Sequence, residues 1–100
     1  MKTIGLIGGM SWESSIEYYR LINEEARRAL GGLHNARSVM VTVDFADIER
    51  MQHEGHWDDA GAALNAAARS LEQAGADFVV LCTNTMHKVA ERMMQGISIP

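Results

Sequence analysis

The sequence predicts an α/β fold in which a parallel sheet carries helices on both faces. Three short apolar runs, at residues 2–7, 38–45 and 77–82, have the composition of strands buried on both faces. The stretches between them place apolar residues three and four positions apart, which is typical of helices. Strands that alternate with helices of this length are joined by right-handed crossovers, so all the strands are expected to point the same way.

The first helix is expected to follow the first strand after a tight loop. Ser11 and Ser14 are both candidates for its N-cap, and Ser14 has an acidic residue three positions later, as in a capping box. Arg27-Arg28 followed by Gly31-Gly32 indicates where the helix ends. The apolar residues at helical spacing within it are Ile16, Tyr19, Ile22, Ala26 and Ala29.

The rest of the chain is expected to form one short helix, two longer helices and the beginning of a fourth strand. The short helix covers 47–54 and is capped by Asp47. An alanine-rich helix runs from 58 or 59 to 73, and a further helix covers 86–95. Residues 97–100 look like a fourth strand that is cut off before it is complete. We therefore interpret 1–100 as an N-terminal α/β domain.

Composition and charge argue against two classes of partner. The formal net charge is −4 and the nine Lys and Arg residues are scattered, so no basic stripe is expected to neutralise the phosphates of a nucleic acid. No apolar run is long enough to span a membrane, and the first residues lack the features of a signal peptide. The single cysteine, Cys82, suits a reducing compartment. We therefore expect a cytoplasmic protein that binds neither nucleic acid nor membranes.

A parallel sheet would bring three loops to one edge, and ligands of open α/β sheets bind outside the carboxyl ends of the strands. One of these loops, Thr83-Asn84-Thr85, places two hydroxyls and an amide where a strand meets a helix N-terminus. Backbone N–H groups there favour an anion such as a carboxylate. Simple N-capping by Asn84 or Thr85 is the alternative interpretation. The three loops are Gly8-Gly9-Met10-Ser11, Asp44-Phe45-Ala46 and Thr83-Asn84-Thr85.

Two other ligand classes are not expected from the motifs. The glycines around the first loop do not have the G-x-G-x-x-G spacing of dinucleotide-binding proteins. His53, His56 and His87 have no acidic or cysteine partner at a spacing typical of metal ligands. The sequence therefore predicts neither a dinucleotide nor a metal site.

Two motifs together resemble those of the aspartate/glutamate racemase family. They are residues 3–14, TIGLIGGMSWES, and residues 80–87, VLCTNTMH. The chain is most similar to the broad-specificity amino-acid racemase branch, and the resemblance extends over all 100 residues. It implies one half of a two-domain, pseudo-symmetric racemase fold, with the second domain absent here. It also implies an active site in the cleft between the domains, no pyridoxal phosphate or other cofactor, and a homodimer.

The resemblance implies a catalytic role at the end of the third strand. In the family, one residue from each domain faces the α-carbon of the substrate, usually as a cysteine pair, and the two exchange a proton across it. Thr83 occupies the position of the family cysteine, so we expect it to contact the substrate and to be catalytic. Cys82 lies one position earlier and remains a second candidate. Consecutive strand residues point to opposite faces, so Cys82 is not expected simply to take the place of Thr83.

The resemblance also implies residues that bind the substrate. Asn84 and Thr85 are expected to hold the α-carboxylate and to stabilise the charge that develops there. Met10 is expected to touch the substrate through its backbone, and Gln52 through its side chain. Ser11, in the first loop, is a further candidate.

The sequence therefore predicts a cofactor-independent amino-acid racemase, acting on aspartate, glutamate or a broader set of small amino acids. Because a threonine hydroxyl is a much poorer base than a thiolate, the reaction is expected to be slow or biased in direction. The isolated chain is expected to be inactive, since the second catalytic residue belongs to the other domain. Two alternatives stay open: a non-catalytic module that binds a carboxylate or amino acid, and a decarboxylase or isomerase of the same superfamily.

Overall fold

A computed structural model describes residues 1–83 and 89–100. In these ranges the chain forms three parallel strands and four helices, which confirms the predicted fold class. The elements are β1 (Thr3–Gly8), α1 (Trp12–Leu30), β2 (Arg37–Thr42), α2 (Phe45–His53), α3 (Trp57–Gln73), β3 (Phe78–Leu81) and α4 (Ala90–Met93). None of the helices in the described part of the chain is both long and apolar enough to cross a membrane.

The sheet has the order β2-β1-β3, so the first strand lies in the centre. Ile7 of β1 pairs with Val41 of β2 on one side and with Leu81 of β3 on the other, and both pairings are parallel. The three strands therefore end close together, and the loops that follow them leave from the same edge of the sheet. The candidate site is built on this edge.

Two glycines of β1 show which helix covers each face of the sheet. A Cβ atom on Gly5 would lie 3.3 Å from the Cβ atom of Leu71, which belongs to α3. A Cβ atom on Gly8 would lie 2.7 Å from the hydroxyl oxygen of Ser15, which belongs to α1. The two glycines are an odd number of positions apart, so they face opposite sides of the sheet. Helices α1 and α3 therefore cover opposite faces.

The hydrophobic core lies on the α3 side. Leu64 and Leu71 of α3 are completely buried, and each such side chain contributes about 2 kcal/mol through its removal from water. Alanines at neighbouring positions of α3 allow the helix to lie close to the sheet. The buried cluster consists of Ile7, Met10, Ile48, Ala60, Leu64, Ala67, Ala68, Leu71, Ala76, Leu81, Val89 and Met93.

The α1 side is covered much less completely. Ser15 is the buried residue of this helix. Trp12, Ile16 and Tyr19, which share one face of α1, are 62%, 53% and 49% exposed. The predicted apolar spacing is therefore present, but within this chain the sheet covers only part of the apolar face.

Of the two cap candidates for α1, Ser11 is confirmed as the N-cap, whereas the cap of α2 differs from the one expected. α1 begins after Ser11, so the capping box at Ser14 is wrong, and the Ser11 side chain makes no capping hydrogen bond. α2 begins two residues earlier than predicted, and its N-cap is Asp44 rather than Asp47. The Asp44 carboxylate accepts a hydrogen bond of 3.1 Å from the Ala46 amide. Only three residues separate β1 from α1 and two separate β2 from α2, and these short loops determine the caps.

Three strand and helix boundaries also differ. β2 ends at Thr42 instead of Phe45, and it is only half-buried because it is an edge strand of this sheet. The described residues 97–100 do not form a strand, although the Pro100 carbonyl accepts a hydrogen bond of 3.0 Å from the Val79 amide. α4 ends at Met93 rather than at 95, and residues 86–88 of the predicted helix lie outside the described ranges.

Candidate functional site

The loop after β1 lies tightly against the end of β2. The Val43 amide donates a hydrogen bond of 2.9 Å to the Gly8 carbonyl. Gly9 has a φ of 100°, and a Cβ atom at this position would overlap the Val43 carbonyl oxygen. Only glycine combines this backbone conformation with such a close approach. The loop is therefore held in place along its β2 side.

The first turn of α1 holds the same loop from the other direction. The Gly9 amide donates a hydrogen bond of 2.9 Å to the hydroxyl oxygen of Ser15, and that hydroxyl in turn lies 3.4 Å from the Ser11 carbonyl, to which it donates. Ser15 is only 6% exposed. Ser15 was not predicted as a site residue. Its only signal in the sequence was its place six positions after Gly9.

Met10 contributes its side chain to the core and not to the surface of the loop. Met10 as a whole residue is 3% exposed and belongs to the buried cluster that includes Ile48 and Val89. Ser11, which follows it, occupies the N-cap position of α1 without capping the helix by its side chain.

The third loop begins beside the first. The Cys82 amide donates a hydrogen bond of 3.0 Å to the Ile7 carbonyl, which continues the pairing of β3 with β1 by one residue. Cys82 is fully buried and Thr83, next in the chain, is 8% exposed. Asn84 and Thr85, the predicted carboxylate-binding residues, lie outside the described ranges.

The surroundings of Cys82 disfavour its thiolate. Burial raises the pKa of the Cys82 thiol to about 11, from 9.0 for the free group. A thiolate at this buried position would lose its hydration, and this desolvation is the cause of the raised pKa. The thiol of Cys82 is therefore protonated at neutral pH and is a poor base or nucleophile there.

Gln52 lies on the helix that leaves this edge of the sheet. Two residues separate the end of β2 from the start of α2, and Gln52 belongs to the last turn of α2 and is half-buried. One turn earlier, Ile48 is 2% exposed and anchors the helix in the core. α2 is therefore firmly attached to the domain.

The described residues contain no group of three or more His, Cys, Asp or Glu side chains that could hold a metal ion. His53 and His56 are exposed, and His56 lies at the N-cap of α3 with its Nδ1 atom 3.9 Å from an Asp59 carboxylate oxygen. His87 is outside the described ranges.

The fold and the three-loop edge define an α/β domain whose polar loops follow the carboxyl ends of parallel strands. The model of the Asp/Glu/Hydantoin racemase family matches residues 7–100. The chain therefore belongs to this family.

Solved structures resemble the whole chain. A proposed Asp/Glu racemase from Yersinia pestis is 52% identical and superposes with a TM-score of 0.97. An aspartate racemase homologue from Pyrococcus horikoshii OT3 is 29% identical, with a TM-score of 0.89. Both matches cover 100% of this chain, which spans 44% and 43% of those two proteins. The chain thus corresponds to less than half of each solved relative.

Proposed function

We propose that this chain supplies one catalytic half of an amino-acid racemase, with Thr83 facing the α-carbon of the substrate. The observation that carries this proposal is the hydrogen bond from the Cys82 amide to the Ile7 carbonyl. It places the end of β3, and hence Thr83, beside the loop that begins at Gly8. Family membership supports a racemase-type reaction at this edge.

Thr83 is preferred to Cys82 as the group that handles the proton. Cys82 is fully buried, so its thiol does not reach a ligand at the surface, whereas Thr83 is 8% exposed and stands at the motif position of the family cysteine. In one direction a partner on the opposite face of the α-carbon removes the α-proton, and the Thr83 hydroxyl donates its own proton to the resulting carbanion and becomes an alkoxide. In the other direction this alkoxide removes the α-proton, and the partner returns the proton that it took.

The α-carboxylate is proposed to bind where the first and third loops meet. Met10 is proposed to contact the substrate through its backbone, as the family resemblance implies. Asn84 and Thr85 follow Thr83 directly and are proposed to donate hydrogen bonds to the carboxylate, which stabilises the charge that develops as the α-proton leaves. Gln52 is proposed to bind the substrate by its side chain, and Ser11 is a further candidate contact.

The second half of the site is proposed to come from a second, similar domain. The length of the solved relatives supports this, because each is more than twice as long as the chain. The isolated chain is accordingly proposed to be inactive. The racemase itself is proposed to work without pyridoxal phosphate as a cytoplasmic homodimer, on the strength of the family resemblance.

A non-catalytic amino-acid-binding module is the second candidate. The observation that favours it is Thr83, which stands where the family motif commonly has a cysteine and is a weaker base than a thiolate. In that case the carboxylate is bound but the α-proton is not exchanged. A decarboxylase or isomerase of the same superfamily would instead be revealed by its product.

The test is proton NMR of L-glutamate, L-aspartate and several neutral amino acids in deuterated buffer. Two proteins are compared: this chain alone, and a fusion in which this chain replaces the matching part of the Yersinia pestis protein. We expect the α-proton signal to disappear only with the fusion. If an amino acid binds the fusion but its α-proton persists, the binding module is the correct function.

A further inference from the structure

We propose that Ser15 is a positioning residue that fixes the substrate loop, defined here as residues 8–11. The proposal rests on the function given above, in which this loop touches the amino acid through the Met10 backbone. Ser15 itself does not act on the reacting atoms. It acts through the Gly9 amide, to which its hydroxyl is bonded.

The first argument is the bonding of the Ser15 hydroxyl. Its oxygen accepts from the Gly9 amide at 2.9 Å, and its proton points to the Ser11 carbonyl at 3.4 Å. A single side chain therefore contacts both ends of the two-peptide segment that contains Met10. A hydroxyl suits this position because it is a donor and an acceptor at once.

The second argument is the burial of Ser15 in a helix whose other residues are exposed or only half-buried. Ser15 is 6% exposed, whereas Ser14, its neighbour of the same type in the same turn, is exposed. A buried hydroxyl needs partners, and both partners of Ser15 belong to the substrate loop. The side chain is therefore more than a small residue that fills space beneath α1.

The third argument is that Gly8, which has no side chain, leaves space for the Ser15 hydroxyl beside the loop. A Cβ atom on Gly8 would come within 2.7 Å of the Ser15 hydroxyl oxygen and 3.2 Å of the Met40 sulfur. A side chain at position 8 would therefore displace the hydroxyl. Together with the bond from the Val43 amide to the Gly8 carbonyl, Ser15 holds the loop between α1 and β2.

The consequence for function is a preorganised binding loop. A loop that is already in its binding conformation loses less freedom when a ligand arrives, so affinity rises without any new contact to the ligand. Removal of the Ser15 hydroxyl should therefore weaken amino-acid binding more than it slows proton transfer.

The first experiment uses the chain itself and measures hydrogen exchange of the Gly9 amide by NMR. Ser15→Ala should accelerate exchange at Gly9 about tenfold or more relative to core amides such as Leu6, because the amide loses its acceptor. Ser15→Thr keeps a hydroxyl and should restore protection. Ser14→Ala is the matched control and should change nothing at Gly9.

Ser15→Cys provides a second variant if Ser15→Ala does not fold. The thiol is similar in size but a weak acceptor, so Gly9 should be protected less than in the unchanged chain. The proposal is overturned if Gly9 exchange is unchanged in both variants, or if all amides accelerate equally, since the hydroxyl would then act on stability alone.

The second experiment measures kinetics in the fusion with the Yersinia pestis remainder. Ser15→Ala should raise KM about tenfold and leave kcat within about twofold, and Ser15→Thr should recover the lower KM. An equal loss in kcat with unchanged KM would overturn the positioning role. If the fusion that retains Ser15 shows no activity, this counts against the proposed racemase function. The hydrogen exchange of the Gly9 amide would still decide the role of Ser15.

Discussion

At the scale of single residues, Cys82 and Thr83 are neighbours at the end of β3. The Cys82 side chain is completely buried, and this burial is what raises the pKa of its thiol. Thr83 follows it at the strand edge. The sequence could predict that adjacent strand residues face different surroundings, and the structure adds that the cysteine is fully buried.

The buried thiol makes a prediction about stability at high pH. The unfolded thiol ionises near pH 9.0, whereas the folded thiol stays protonated until about pH 11. Ionisation therefore favours the unfolded chain as the pH rises through this window, and the stability present below pH 9 should fall by about 2 kcal/mol. The measurement is urea unfolding at pH 8–11, with Cys82→Ala as the control. If both proteins lose stability equally across this range, burial does not perturb the thiol.

Ser15 shows where prediction from sequence fails at this scale. Met10 and Thr83 could be proposed because they lie in loops that a parallel sheet brings together. The hydrogen bond of Ser15 to Gly9 depends on how the first turn of α1 leans over the loop, and no periodic pattern encodes that angle.

At the scale of elements, α1, α3 and the strands were predictable from periodicity, while the caps were not. Asp44 and Asp47 are both good N-cap residues, and only the point at which β2 stops determines which of them caps α2. Ser11 and Ser14 present the same choice for α1. The spacing of apolar residues predicts that a helix is present, whereas the length of the preceding loop determines the residue at which the helix begins.

Asn65 makes a prediction about how α4 is attached. Its buried amide nitrogen donates to the carbonyls of Met93 and Gln95, each at 2.8 Å, so it holds the end of α4 against α3. Asn65→Ala leaves these carbonyls without the amide and should lower the free energy of unfolding by about 2 kcal/mol in urea titrations. Ser70→Ala, on the exposed side of α3, should cost less than about 0.5 kcal/mol. Equal losses would show that Asn65 contributes no specific attachment.

At the scale of the whole molecule, the parallel strands and the two covered faces follow from the alternation of strands and helices, whereas the order β2-β1-β3 was not predicted. The extent of the functional unit does not follow from it. Ile16 and Tyr19 were recognisable as part of an apolar helix face, but their exposure, like that of Trp12, became visible only in the structure. The chain spans less than half of each solved relative.

The most direct test of the central claim separates the two faces of the α-carbon. In the fusion with the Yersinia pestis remainder, Thr83→Ala should slow interconversion of the enantiomers about a hundredfold or more. The partner on the other face should still exchange the α-proton of one enantiomer with deuterium. Unchanged interconversion in Thr83→Ala, together with its loss in Cys82→Ala, would contradict the account and assign the proton transfer to Cys82.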